Sequence, residues 1–199
     1  MRDTWYSDNR DVVKWSALHS LATDNHLASI VQVLFLQAGE PPTLSFDGNP
    51  LPIPGAVWRH FRDFLAVERL AASFGCAIHV YDQLFSSRTR RAYVDELLAF
   101  LPSAKGPRLV FLDPDAGLEP GRLSGRHVAL ADVRRVWNFL APGEWLAVYQ
   151  HASRDRQWRE RAHAAFSTAC GHAHVRQFVG FRLAHDVILL AAERPDAVA

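Results

Sequence analysis

Four short apolar runs, each followed by an amphipathic stretch, constrain this chain more than any other feature. They are ASIVQVLFL (Ala28 to Leu36), CAIHVY (Cys76 to Tyr81), LVFL (Leu109 to Leu112) and WLAVYQ (Trp145 to Gln150). Apolar runs of this length without strict alternation have the pattern of strands buried on both faces. The spacing of apolar residues between them predicts helices over Asp8 to Asn25, Gly55 to Phe74, Ser86 to Leu101, Val128 to Leu140 and Asp155 to Gly171. Ser7 or Asp8 caps the first, and Gly75 stops the second. Strand and helix in alternation imply a mostly parallel sheet, with right-handed crossovers and helices on both faces. Two further strands, His174 to Leu183 and Asp186 to Ala192, are separated only by Ala184-His185. So short a connection makes an antiparallel hairpin. The expected fold class is an α/β three-layer sandwich closed by a C-terminal hairpin.

A chain of 199 residues is most simply one domain, 1–199, with a full core. The net charge of +1 announces no global attraction to nucleic acid or membrane. Two local basic clusters stand out, Arg88, Arg90 and Arg91, then Arg154, Arg156, Arg159 and Arg161. Each is either a solvated helix face or a place for phosphates. Cys76 and Cys170 lack CxxC spacing, so neither a zinc site nor a disulfide framework is expected. The start of the chain lacks a signal peptide's apolar core, and no apolar run approaches the roughly 20 residues of a membrane span. A cytoplasmic protein with no membrane partner is the expectation.

The chemistry-bearing residues gather at predicted strand ends. Asp113-Pro114-Asp115 follows the third apolar run, and Gly117 and Pro120 hold an irregular loop after it. In open α/β sheets ligands bind outside the carboxyl ends of the parallel strands. The competing reading of Asp113 is a turn starter, since Asp-Pro favours turns. Asp82 ends the second run, where such folds often bind ribose hydroxyls. Gln37-Ala38-Gly39-Glu40 follows the first run and offers the small residues Ala38 and Gly39 to a cofactor. Asp113, Asp115 and Glu119 also form a candidate Mg²⁺ or Mn²⁺ set, with His151 as a further ligand or general base. That set would make a metal-dependent nuclease or phosphodiesterase. The sequence has no GxSxG elbow, no P-loop and no HExxH spacing, which disfavours the corresponding chemistries.

Three blocks carry a resemblance. They are Asp11-Val12-Val13-Lys14-Trp15, then Asp113-Pro114-Asp115 with Gly117-Leu118-Glu119, then Tyr149-Gln150-His151 through Arg154. The chain resembles a small family of uncharacterised bacterial proteins with DPD-G-L-E and YQH motifs. More distantly, it is similar to ribosomal RNA adenine N6-methyltransferases of the RlmJ type. The resemblance implies a Rossmann-like, class I S-adenosylmethionine-dependent methyltransferase fold, and a nucleic-acid base amino group as the methyl acceptor. It also implies roles. Asp113, Pro114, Asp115 and His151 would surround the acceptor, and Lys14 and Trp15 would join Gly39 and Asp82 at the cofactor. The chain departs from the relatives at Trp15, where they carry histidine. It departs again at Asp115 and Ala116, where amino-methyltransferases carry a second proline and a stacking aromatic. A metal-dependent hydrolase and a non-catalytic binding module on a degenerate fold stay open as alternatives.

Overall fold

The computed structural model describes residues 8–37, 44–51, 53–54, 56–57, 63–121 and 123–196. In chain order the strands are β1 (Ser29–Val33), β2 (Leu44–Phe46), β3 (Asn49–Leu51), β4 (Ala77–Tyr81) and β5 (Arg108–Leu112). They continue with β6 (Gly117–Leu118), β7 (His127–Val128), β8 (Trp145–His151), β9 (Val175–Gly180) and β10 (Ala184–Glu193). The helices are α1 (Asn9–Asp24), α2 (Ala71–Phe74), α3 (Arg90–Phe100), α4 (Leu130–Phe139) and α5 (Trp158–Ala169).

Six strands form one sheet in the order β4-β1-β5-β8-β10-β9. β1 pairs in parallel with β4 and β5, and β5 with β8. β10 lies antiparallel between β8 and β9. The fold is therefore mixed α/β, with a mostly parallel sheet and an antiparallel C-terminal pair, a Rossmann-like arrangement. The chain leaves β1 for β4 on one side and returns to β5 on the other. This makes the carboxyl ends of β1 and β5 the switch point where such sheets hold ligands.

Alternate residues of the strands feed two cores, because successive side chains point to opposite faces. Val110, Leu112, Leu146 and Val148 pack with Val94, Val133, Trp137 and Phe166 of α3, α4 and α5. Leu109, Phe111, Ala147 and Tyr149 pack with Leu18 and Leu21 of α1. Both cysteines are buried free thiols. Among the described residues no helix is long and apolar enough to cross a membrane.

Three expectations change in detail. The helix expected over Gly55 to Phe74 lies partly outside the described residues. The described remainder is mainly a 3-10 helix (Phe64–Leu70) running into the single turn of α2. Its apolar residues do not all face inward. Val67 is buried and Leu70 packs on the core, three residues apart as a 3-10 period requires, whereas Leu65 is 49% exposed. Gly75 ends α2 in the left-handed region at φ 68°, as expected of a stop glycine. The hairpin turns earlier than expected, at Phe181-Arg182-Leu183, where the Leu183 amide donates to the Gly180 carbonyl at 2.7 Å. The loop after Asp113 is not wholly irregular, since β6 and β7 pair in parallel within it.

That loop is pinned by Gln150 of β8. Its Oε1 accepts from the Leu118 amide at 2.8 Å, and its Nε2 donates to the Ala116 carbonyl at 3.3 Å and the His151 carbonyl at 2.7 Å. Gly117 permits this approach. It sits at φ 100°, and a Cβ there would lie 2.4 Å from the Gln150 Oε1. Gly121 has a similar φ of 110° but open space around it. Gly117→Ala is expected to destabilise by more than the roughly 1–3 kcal/mol of backbone strain alone, and Gly121→Ala by strain only. Urea unfolding of the two variants checks the difference; equal losses would remove the role given to the Gln150 contact.

Candidate active site

Asp8 begins the site by capping α1. Its Oδ1 accepts from the amides of Arg10 at 2.7 Å and Asp11 at 3.3 Å. The cap sets the phase of the helix, so Asp11, Lys14, Leu18 and Leu21 fall on the buried face. Lys14 is thus carried inward to the carboxyl end of β5. Its Nζ donates to Asp113 Oδ1 at 3.1 Å and Oδ2 at 3.2 Å, and lies 2.7 Å from Asp11 Oδ1 one turn back. Gln32 of β1 donates to Asp113 Oδ2 at 2.9 Å. The ammonium also sits 4.6 Å from the centre of the Tyr149 ring.

Lys14 and Asp113 are only 5% and 1% exposed. Burial works against the Lys14 charge, but the carboxylates of Asp113 and Asp11 outweigh it and hold its pKa above the ordinary lysine value. Burial pushes the Asp113 carboxyl up, and Asp11 adds to this against the opposing pull of Lys14 and Gln32. The group is therefore one firmly held cation between two carboxylates.

Above this floor lies a cavity of about 440 Å³, a volume suited to a small ligand. Its walls are the start of α1, the Pro114 to Pro120 loop, and the end of β8 from Tyr149 to Ser153. His151 is half-buried on the far wall, edge-on to Tyr149. Its Nδ1 is 3.8 Å from Asp186 Oδ2, beyond hydrogen-bonding distance. Asp186 instead accepts from Arg10, at 3.2 Å from Nε and 2.6 Å from Nη2. Against the effect of burial, these bonds hold Asp186 below the ordinary carboxylate range. Burial lowers the His151 pKa, with Arg10, Lys14 and Arg126 acting in the same direction against the opposing pull of Asp186. A neutral imidazole therefore faces the cavity at neutral pH.

Asp113, Pro114, Asp115, His151 and Lys14 all line this cavity. Trp15 does not. It is 8% exposed in the core beside α1, edge-on to Phe74 at 6.0 Å, because it follows Lys14 by one residue and so projects to another part of the helix. Asp82 is exposed at the carboxyl end of β4, away from the cavity walls. Gly39 lies outside the described residues. The metal set is not assembled. Asp113 turns inward to Lys14, the Asp115 carboxylate lies 3.8 Å from Arg126, and Glu119 is not part of the cavity wall. Among the described residues no three His, Cys, Asp or Glu side chains gather as a metal-holding group.

Arg10, Gln32 and Asp186 belong to the site and escaped the motif reading, while Asp11 and Gln150 stood in the quoted blocks without a role. Gln32 and Gln150 had a signal, since each interrupts an otherwise apolar strand. Lys14 and Asp11 had another, polar residues at helical spacing on an apolar face. Nothing local marked Arg10 and Asp186, which meet across 176 residues.

No protein-family model matches the sequence, and no curated protein matches it. Among solved structures, the chain aligns over 94% of its length with 80% of a candidate methyltransferase from Thermobifida fusca, at TM-score 0.49 and 10% identity. It aligns over 94% of its length with 82% of a DUF574-family protein of Streptomyces avermitilis, at TM-score 0.46 and 11% identity. It also aligns over 90% of its length with 79% of the O-methyltransferase TomG of Streptomyces achromogenes, solved with S-adenosylmethionine, at TM-score 0.37 and 14% identity.

Two measurements check the electrostatics. Lys14→Met should cost about 3–5 kcal/mol, because it strands two buried carboxylates. Lys14→Met combined with Asp113→Leu should cost less than the sum of the single changes. Denaturant unfolding of the cycle decides this, and strict additivity would mean the pair is not coupled. NMR titration of the His151 ring should give a midpoint below the ordinary value of 6.5. The sign follows: a histidine depressed on folding stabilises the native state above 6.5, and that contribution is lost as pH falls towards the folded pKa.

Proposed function

We propose that this protein is an S-adenosylmethionine-dependent methyltransferase whose methyl acceptor enters the cavity above Lys14 and Asp113. The observation that carries the reading is the cavity's position, at the carboxyl ends of β5 and β8 beside the switch point of the sheet. The cofactor's side of the site is the neighbouring ends of β1 and β4. Asp82 fits there. Its exposed carboxylate follows Tyr81, which is in register with Val33 at the end of β1, and it suits ribose hydroxyls. When bound, the cofactor supplies an activated methyl group.

The rest is done by side chains of this chain. An acceptor N–H or O–H that gains a methyl group must lose its proton. His151 lines the cavity and is neutral, so it serves as the base. Arg10 and Asp186 fix the wall behind it. Tyr149 and Leu118 give the cavity apolar surface on which an acceptor packs. Positioning of this kind supplies much of the rate in a transfer reaction.

The finer reading, a nucleic-acid base amino group as acceptor, draws on Asp113-Pro114. Both Asp113 oxygens already accept hydrogen bonds from Lys14 and Gln32. An amine would have to displace one of these donors to reach the carboxylate. The half-buried His151 is the more accessible partner, so the base-catalysed reading is preferred.

Thermal unfolding with S-adenosylmethionine and S-adenosylhomocysteine tests the proposal. Either ligand at about 100 times its dissociation constant should add roughly 2.7 kcal/mol. No shift with either ligand would reject a methyltransferase. Once an acceptor is in hand, His151→Gln should lower kcat by roughly 10²–10⁴-fold with cofactor affinity unchanged. Full turnover in that variant would take the base role from His151.

A further inference from the structure

A second recess, of about 570 Å³, lies on the same edge of the sheet and is lined by Ser87, Arg88, Arg90, Arg91, Asp132 and Arg135. Four guanidinium groups thus share one opening with one carboxylate. Asp132 is already engaged, 2.7 Å from Arg90 Nη1. Arg90 is further fixed by donating to the Ser124 carbonyl at 3.3 Å and the His127 carbonyl at 3.1 Å, and it stacks on Phe85 at 4.7 Å. Arg135 has a partner in the exposed Asp95. Arg88 and Arg91 are exposed and make no ion pair among the described residues. The recess therefore has a rigid cationic floor in Arg90 and two available arginines on its rim.

The charge balance separates this recess from the acceptor cavity. Arg10 and Lys14 in the cavity are each matched by nearby carboxylates. The recess carries a surplus of positive charge. Arginine is the side chain best shaped for phosphate, because its planar fork donates to two oxygens at once. The first turn of α3 adds backbone amides, since Thr89 makes no side-chain cap there. The two openings are joined through Arg90, whose partner His127 lines the cavity.

We infer that the arginine recess binds a phosphate group, and that the methyl acceptor is phosphate-bearing, with its phosphate in the recess and its reacting group in the cavity. The second half of this inference rests on the proposed methyltransferase reading; the first half does not. Phosphate is the shared chemistry of two sources, a phosphorylated small molecule and the phosphodiester backbone of an oligonucleotide.

Binding is measured without cofactor, at low salt, by calorimetry with pyrophosphate and by fluorescence anisotropy with a labelled single-stranded oligonucleotide. The Arg88→Gln/Arg91→Gln double variant should weaken binding at least about tenfold, as expected for losing charge-assisted hydrogen bonds. Arg176→Gln/Arg182→Gln, which removes the same charge from exposed positions on β9 and in the turn after it, should change it by less than about twofold. Binding of pyrophosphate alone would point to a small phosphorylated acceptor. Binding of the oligonucleotide alone, with a salt slope reduced in the first variant, would point to a polymer. Either pattern supports the recess. No binding of either probe, or equal losses in the two double variants, overturns it. A failure to bind S-adenosylmethionine would leave this result standing and reject only the methyltransferase reading.

Discussion

The ion pair between Lys14 and Asp113 joins the first helix to the central strand, and the site is arranged around it. A buried charge pair is a poor source of stability by itself, because desolvating both ions offsets much of their attraction. It persists where further groups complete its hydrogen bonding. Here Asp11 adds a second carboxylate to the ammonium, Gln32 donates to Asp113, and Tyr149 offers its ring face. Each comes from a different place in the chain: α1, β1 and β8. Moving any of these elements leaves a charge without a partner. The pair therefore holds α1 in register with the sheet more than it adds to overall stability.

With the floor fixed, two further devices shape the cavity above it. Gln150 clamps the loop that carries Pro114 to Leu118, and only a glycine at 117 lets the loop come close enough. Arg10 reaches the start of β10 through Asp186 and closes the wall beside His151. Both devices use long polar side chains rather than apolar packing. That suits a cavity whose inner surface has to remain partly polar for a ligand.

The strands and the parallel order were legible in the sequence because the strands are largely apolar runs alternating with amphipathic stretches. The C-terminal hairpin was legible because its connection is too short for a crossover. The 3-10 stretch at Phe64–Leu70 was not, since its apolar residues satisfy a helical stripe as well as they satisfy a three-residue period. Asp113 and His151, both expected at strand ends, line one cavity. Local motif reading could not tell that Asp113 faces inward. That depends on Lys14, 99 residues earlier. The resemblance gave Trp15 a cofactor role, at the position where the relatives carry histidine. On a helix adjacent residues diverge by about 100°, so Lys14 reaches the cavity while Trp15 packs in the core.

The position of both openings follows from the parallel topology. Every helix that follows a parallel strand begins on the sheet's carboxyl edge, so that edge gathers helix N-termini and connecting loops. α3 begins there after β4, and α4 begins there after β5 and its loop. Positive helix ends favour anions, yet Asp132 in the first turn of α4 is matched by Arg90 rather than left to the helix end. The α3 end has no such acid in its first turn and is flanked by arginines instead. The edge is thus divided electrically. Over β5 and β8 the charges are paired and enclose a neutral base, a setting for proton removal. Over the start of α3 arginines outnumber carboxylates, and Arg88 and Arg91 make no ion pair among the described residues, a setting for holding an anion. Arg90 spans the boundary, so rotation of the loop bearing His127 would alter both openings together.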